Sequence, residues 1–123
     1  MSQPKYDLEE RLIDFAVMAL NLVEKLPKTY VGKYYGSQLT RSGSSPALNY
    51  GEAQGAESDK DFLHKTKIVV KELRESQINL KIIKKKPILD SEIVDTVLDE
   101  CNQLVAIFTK ITKSTKDRIN GAK

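Results

Sequence analysis

The sequence predicts an all-α protein, an antiparallel up-down-up-down four-helix bundle, and three observations point there. Apolar residues recur at three- and four-residue steps through four long segments, which is the spacing of one helix face. Short stretches carrying Pro27, Ser58 and Pro87 separate the segments, and such residues stop or start helices. No stretch alternates apolar and polar residues for long enough to form a half-buried strand. Long amphipathic helices joined by short connections pack as antiparallel neighbours.

The first helix is expected over about residues 6–26. Leu8, Leu12, Phe15, Ala16, Ala19, Leu22, Val23 and Leu26 share its apolar face, and Pro27 ends it. Asp7, Glu9 and Glu10 complement the positive end of its dipole. The second is expected over about 30–57, carrying Val31, Tyr34, Tyr35, Leu39, Ala53 and Ala56. Its middle, Gly43-Ser44-Ser45-Pro46, reads either as a loop with Ser45 as N-cap and Pro46 at the first helical position, or as a kink. A break would strand a short fragment with little apolar surface, which favours one long kinked helix.

Ser58, Asp59 and Asp61 open the third helix, expected over about 59–85 with Phe62, Leu63, Ile68, Val69, Leu73, Leu80 and Ile83 inward. Asp90 or Ser91 caps the fourth, expected over about 91–117. It carries Ile93, Val94, Val97, Leu98, Cys101, Leu104, Val105, Phe108, Ile111 and Thr112. Residues 118–123 are expected to fray.

A chain of 123 residues fits one domain, 1–123, able to bury about two-thirds of its unfolded surface. With 40% apolar and 30% charged residues it is too apolar for wholesale disorder. The apolar run Phe15 to Leu20 is far short of a membrane span, and the acidic residues near the start contradict a signal peptide. The protein is therefore expected in the cytoplasm, with no membrane contact. Cys101 stands alone, which excludes an internal disulfide and a zinc-thiolate cluster; its register with Val97, Leu98, Leu104 and Val105 makes it a buried small hydrophobe.

One row of polar residues lies where a helix should be apolar: Arg41, Ser45, Asn49 and Glu52, answered by Lys65, Glu72 and Glu75. Successive members are three, four or seven residues apart, so each set projects along one face. Carboxylates near a lysine resemble acid-base machinery. Di-iron bundles, however, pair Glu with His in a Glu-x-x-His motif, and the only histidine, His64, is not so placed. The row is read as a structural polar network fixing register between helices or subunits. No catalytic residue, metal ligand or cofactor site is assigned, since neither a phosphate-binding glycine loop nor a nucleophile elbow is present.

The run Ser45-Pro46-Ala47-Leu48-Asn49-Tyr50-Gly51-Glu52-Ala53, then Ser58, Asp59-Lys60-Asp61-Phe62-Leu63-His64-Lys65 and Val70-Lys71-Glu72-Leu73-Arg74-Glu75-Ser76, resembles the four-helix bundle proteins encoded in intervening sequences of bacterial 23S ribosomal RNA genes. The resemblance covers nearly the whole chain. It implies a homopentamer of bundles around a central channel, no established enzymatic activity and a role in binding nucleic acid. The accessory proteins of diversity-generating retroelements, which bind a reverse transcriptase and its RNA, are similar at greater distance. One departure is that Gln77-Ile78-Asn79-Leu80-Lys81 lacks the aromatic residues that often follow Glu-x-x-Glu-(Ser/Thr) in the family.

The formal charge of +3, from 20 basic and 17 acidic residues, permits nucleic acid binding without demanding it. The expected topology brings the end of the first helix to the start of the second and the end of the third. That gathers Lys25, Lys28, Lys33, Lys81, Lys84, Lys85 and Lys86 as candidate nucleic-acid contacts, partly offset by Glu24, Asp90, Glu92 and Asp95. Lys110, Lys113, Lys116, Arg118 and Lys123 form a second series. Tyr30, Tyr34, Tyr35 and Tyr50 are either base-stacking or packing residues. The expected partners are copies of the same chain and structured RNA or DNA; the competing reading is an adaptor that docks a partner enzyme through a helical face.

Overall fold

The structure, a computed structural model, describes residues 7–121. They form four α-helices: α1 (Leu8–Lys25), α2 (Tyr30–Gln54), α3 (Asp59–Lys85) and α4 (Glu92–Gly121). No helix among the described residues is long and apolar enough to cross a membrane. Cross-contacts run in opposite directions along each neighbouring pair. Gly36 lies against Val23 and Gly43 against Ala19, Ser42 meets Ser76 while Glu52 meets Lys65, and Cys101 meets Leu73 while Arg118 meets Asp59. The topology is therefore up-down-up-down. Each helix packs chiefly on its chain neighbours, and α1 closes the bundle on α4 over a shorter contact.

Local chemistry sets the helix ends. Asp7 Oδ1 accepts from the Glu10 N–H at 3.0 Å, Thr29 Oγ1 from Gly32 at 3.1 Å, and Ser58 Oγ from Asp61 at 3.1 Å, each satisfying an orphan donor of a first turn. Pro27 ends α1, whose expected first residue, Tyr6, lies outside the described residues. The bounds of α3 match expectation, while α4 begins after Ser91, whose hydroxyl accepts from the Ile93 N–H at 3.3 Å.

Three details depart from the sequence reading or decide it. α2 runs through Pro46 as one helix, although Pro46 offers no N–H to the Ser42 carbonyl; burial of Ser42, Gly43, Pro46, Tyr50 and Ala53 between α1 and its other neighbours holds it. It stops at Gln54 rather than 57, because the Gly55 and Ala56 N–H groups turn back onto Glu52 and Ala53 at 3.1 and 3.0 Å. The expected fraying from 118 is corrected: α4 continues to Gly121, with Arg118 forked onto Asp59 at 3.1 and 3.3 Å. Lys123 lies outside the described residues.

The core is one cluster drawn from all four helices, including Leu12, Phe15, Leu39, Leu73, Leu80, Val97, Leu104 and Phe108. Tyr50 meets Phe108 edge-to-face at 5.1 Å between ring centres, so it packs as core. Cys101 is buried, its Sγ–H donating to the Leu73 carbonyl at 3.3 Å, and burial pushes the thiol up to about 12. Between α1 and α2 the helices approach across glycines. A Cβ on Gly43 would stand 2.9 Å from Ala19 Cβ, and one on Gly32, against the connection between the two helices, would stand 2.1 Å from the Pro27 carbonyl oxygen.

Candidate functional site

The polar row meets across the α2–α3 interface. Arg41, on the outer edge of α2, reaches over to α3 with its fork: Nη1 donates to Glu72 Oε1 at 2.8 Å and Nη2 to Glu75 Oε1 at 2.6 Å. Two turns along, Lys65 pairs with Glu52. Ser45 and Asn49 stay within α2, the Asn49 amide donating to the Ser45 hydroxyl at 2.9 Å and carbonyl at 3.1 Å. Glu72 is nearly buried while Arg41 is half exposed, so Arg41 shields a carboxylate that burial would otherwise penalise. The hydrogen bond from Arg41 holds the Glu75 carboxyl below the usual carboxylate range, and the same bond raises Arg41.

The structure adds three residues that the sequence reading missed. Ser76 Oγ donates to Ser42 Oγ at 2.9 Å, and Asn79 Nδ2 donates to the same oxygen at 3.3 Å. Ser42 and Ser76 are fully enclosed. The signal available in sequence was the row Glu72, Ser76, Asn79 at four- and three-residue steps, which prolongs the face that Lys65 and Glu72 share. Beside this seam lies an open trough of about 750 Å³, bordered by Gln38, Arg41, Lys71, Arg74, Glu75 and Ile78. Its carboxylate is held by Arg41, and no group of three or more His, Cys, Asp or Glu among the described residues could hold a metal ion. His64 is exposed.

The topology sets Lys25, Lys28, Lys33, Lys81, Lys84, Lys85 and Lys86 at one end of the bundle, all exposed. The sequence reading needs one correction there: α1 and α3 are diagonal and do not pack on each other, so Lys25 faces the α3 lysines across the end rather than joining them. Lys84 is taken by Asp95 at 2.8 Å. Tyr30 and Tyr34 stand exposed at the same end, with Tyr34 edge-on to Tyr35 at 5.0 Å.

A second basic surface runs along the flank. The outward ridge of α3 is Lys60, His64, Lys67, Lys71, Arg74, Ile78, Lys81 and Lys85, at alternating four- and three-residue steps and without a carboxylate. All eight are exposed. Glu72 and Glu75 lie beside it, 3.8 and 3.9 Å from Lys71.

A sequence model described as 23S rRNA-intervening sequence protein matches residues 5–110. The solved structure of a protein of unknown function from the S23 ribosomal protein family of Bacteroides thetaiotaomicron VPI-5482 superposes with a TM-score of 0.77 at 26% identity. The overlap covers 85% of this chain and 97% of that one. No curated protein matches the sequence.

Proposed function

Because the chain belongs to the 23S rRNA-intervening sequence protein family, we propose that it is a non-catalytic, self-associating helical scaffold that binds structured RNA or DNA through basic surfaces. The observation that carries this reading is the crowding of seven exposed lysines at one end, of which Lys84 has its own carboxylate partner. Phosphate contacts draw on such clusters, and closed rings of subunits multiply the charge. The α2–α3 seam acts in the scaffold as a register key: hydrogen-bonded polar groups inside an apolar joint penalise every sliding of the two helices.

Self-association is supported by an exposed apolar line on α1, Ile13, Val17 and Leu20, at helical spacing; the homopentamer is what the family resemblance implies. That line needs a partner surface to leave water.

The test is binding of purified, nuclease-treated protein to a labelled structured RNA and a duplex DNA across a salt series, with mass from light scattering in the same buffers. Affinity should fall steeply with salt, and Lys28→Glu, Lys33→Glu and Lys86→Glu together should weaken it while leaving the helical signal intact. Absence of binding at low salt would sink the nucleic acid reading and favour the protein-docking adaptor.

A further inference from the structure

We propose that the groove between α3 and α4 is a phosphate-contact track for a nucleic acid backbone, a proposal that rests on the reading above and locates the contacts on the flank as well as the end. Lys67 and Arg74 of α3 face Thr109, Thr112, Lys113 and Lys116 of α4 around a hollow of about 290 Å³. Four cations converge there. Lys113 is bonded to Asp117 at 3.0 Å, whereas Lys67, Arg74 and Lys116 have no ion pair among the described residues. Four cations against the one carboxylate of Asp117 leave an excess of positive charge that concentrates anions from solution.

Thr112 supplies an independent observation. Thr40, Thr96 and Thr115 each donate their hydroxyl to the carbonyl four residues back, the usual resting place of a threonine hydroxyl in a helix. The Thr112 Oγ1 is buried and makes no hydrogen bond. A buried donor without an acceptor is unfavourable. On the wall of a basic hollow, a turn about its Cα–Cβ bond would offer the O–H to a phosphate oxygen. The guanidinium of Arg74 suits the same group, because its planar fork matches two phosphate oxygens.

The hollow does not end at Arg74. Across the outward ridge of α3 that residue also borders the trough on the α2 side, where Arg41 and Lys71 are paired with Glu72 and Glu75, and Ile78 links the trough to a third hollow lined by Lys81, Ile82, Lys85 and Lys86. From Lys67 to Lys85 the helix rises about 27 Å, the length of roughly eight base-pair steps along a duplex axis at 3.4 Å each. A linear polyanion matches that extent, whereas a single phosphate would occupy one hollow.

The test uses the full chain and the same RNA and DNA probes by fluorescence anisotropy. Lys67→Gln, Arg74→Gln and Lys116→Gln together should cost at least tenfold in affinity and lower the slope of log affinity against log salt by about 2 to 3. Arg74→Lys with Thr112→Val keeps net charge, and should cost several-fold with the slope nearly unchanged. Thr112→Val alone should leave thermal stability equal or higher, since it removes an unpaired hydroxyl. Wild-type affinity in the triple variant, or in the charge-conserving pair, would overturn the groove while leaving the binding reading intact. No binding by the wild-type protein at low salt would remove that reading, and the groove with it.

Discussion

Replacing Ser42 by alanine takes from the α2–α3 seam the one oxygen on which two buried donors converge. Ser76 Oγ, 2.9 Å away and fully enclosed, loses its acceptor; Asn79 Nδ2, at 3.3 Å, loses its own. The two losses differ. A serine hydroxyl in a helix can swing to the carbonyl four residues back, here that of Glu72, and recover part of the bond. Asn79 is 9% exposed and borders the trough, so water reaches it only partly. Each orphaned donor then costs about 1 kcal/mol, the low end of the range for unsatisfied buried groups, giving about 2 kcal/mol in all. For a domain of this size that lowers the melting temperature by roughly 8 °C. The assay is urea denaturation at pH 7 and fixed protein concentration, because self-association would otherwise make stability concentration-dependent. Ser42→Ala combined with Ser76→Ala should come out about 1 kcal/mol better than the sum of the single variants, since the second change removes a donor that the first left unpaired. A Ser42→Ala protein within about 0.5 kcal/mol of wild type would refute the seam as a stabilising joint.

The close approach of α1 and α2 makes a second prediction. Gly32→Ala should destabilise by about 2 to 3 kcal/mol, because its Cβ would stand 2.1 Å from a backbone oxygen that cannot step aside, and Gly43→Ala by about 1 kcal/mol against a methyl 2.9 Å away; thermal denaturation showing the reverse order would contradict the packing. The acid limb of stability makes a third. Arg41 holds the folded-state pKa of Glu75 below its unfolded value, so this contribution is fully present above the ordinary carboxylate pKa and is lost as pH falls through the lowered one. Arg41→Met should therefore destabilise more at pH 7 than at pH 3, which denaturation midpoints at the two values would show.

Residues that must be inward at helical steps were readable in the sequence, and so was a row of polar and charged residues on each of two helices; which of them meet, Arg41 with Glu72 and Glu75, and Glu52 with Lys65, is decided by how α2 and α3 pack. Long side chains of opposite sign announce themselves. Ser42, Ser76 and Asn79 do not, because small polar residues are equally at home on a wet surface, and only the burial of their helix face gives them a role. The end of α4 was misjudged for a similar reason: the bond that holds Arg118 comes from Asp59, far away in sequence, and nothing local announces it. The α3–α4 groove depends on how α4 is rotated about its axis, and the spacing of lysines alone does not say which of them face Arg74.

Every extensive helix contact in this fold joins chain neighbours, α1 to α2, α2 to α3 and α3 to α4. Low separation between contacting residues makes for fast folding, on the microsecond to millisecond scale for helical bundles. During synthesis each hairpin can close as soon as its second helix has left the ribosome, well before the chain is finished. The exception is the shorter contact of α1 with α4, which includes the ion pair of Arg11 with Glu100 at 2.8 Å and has to wait until most of the protein exists. The bundle is therefore shut last along the seam of its first and final helices, and the apolar face that α1 turns to α4 is the last part of the core to find its cover.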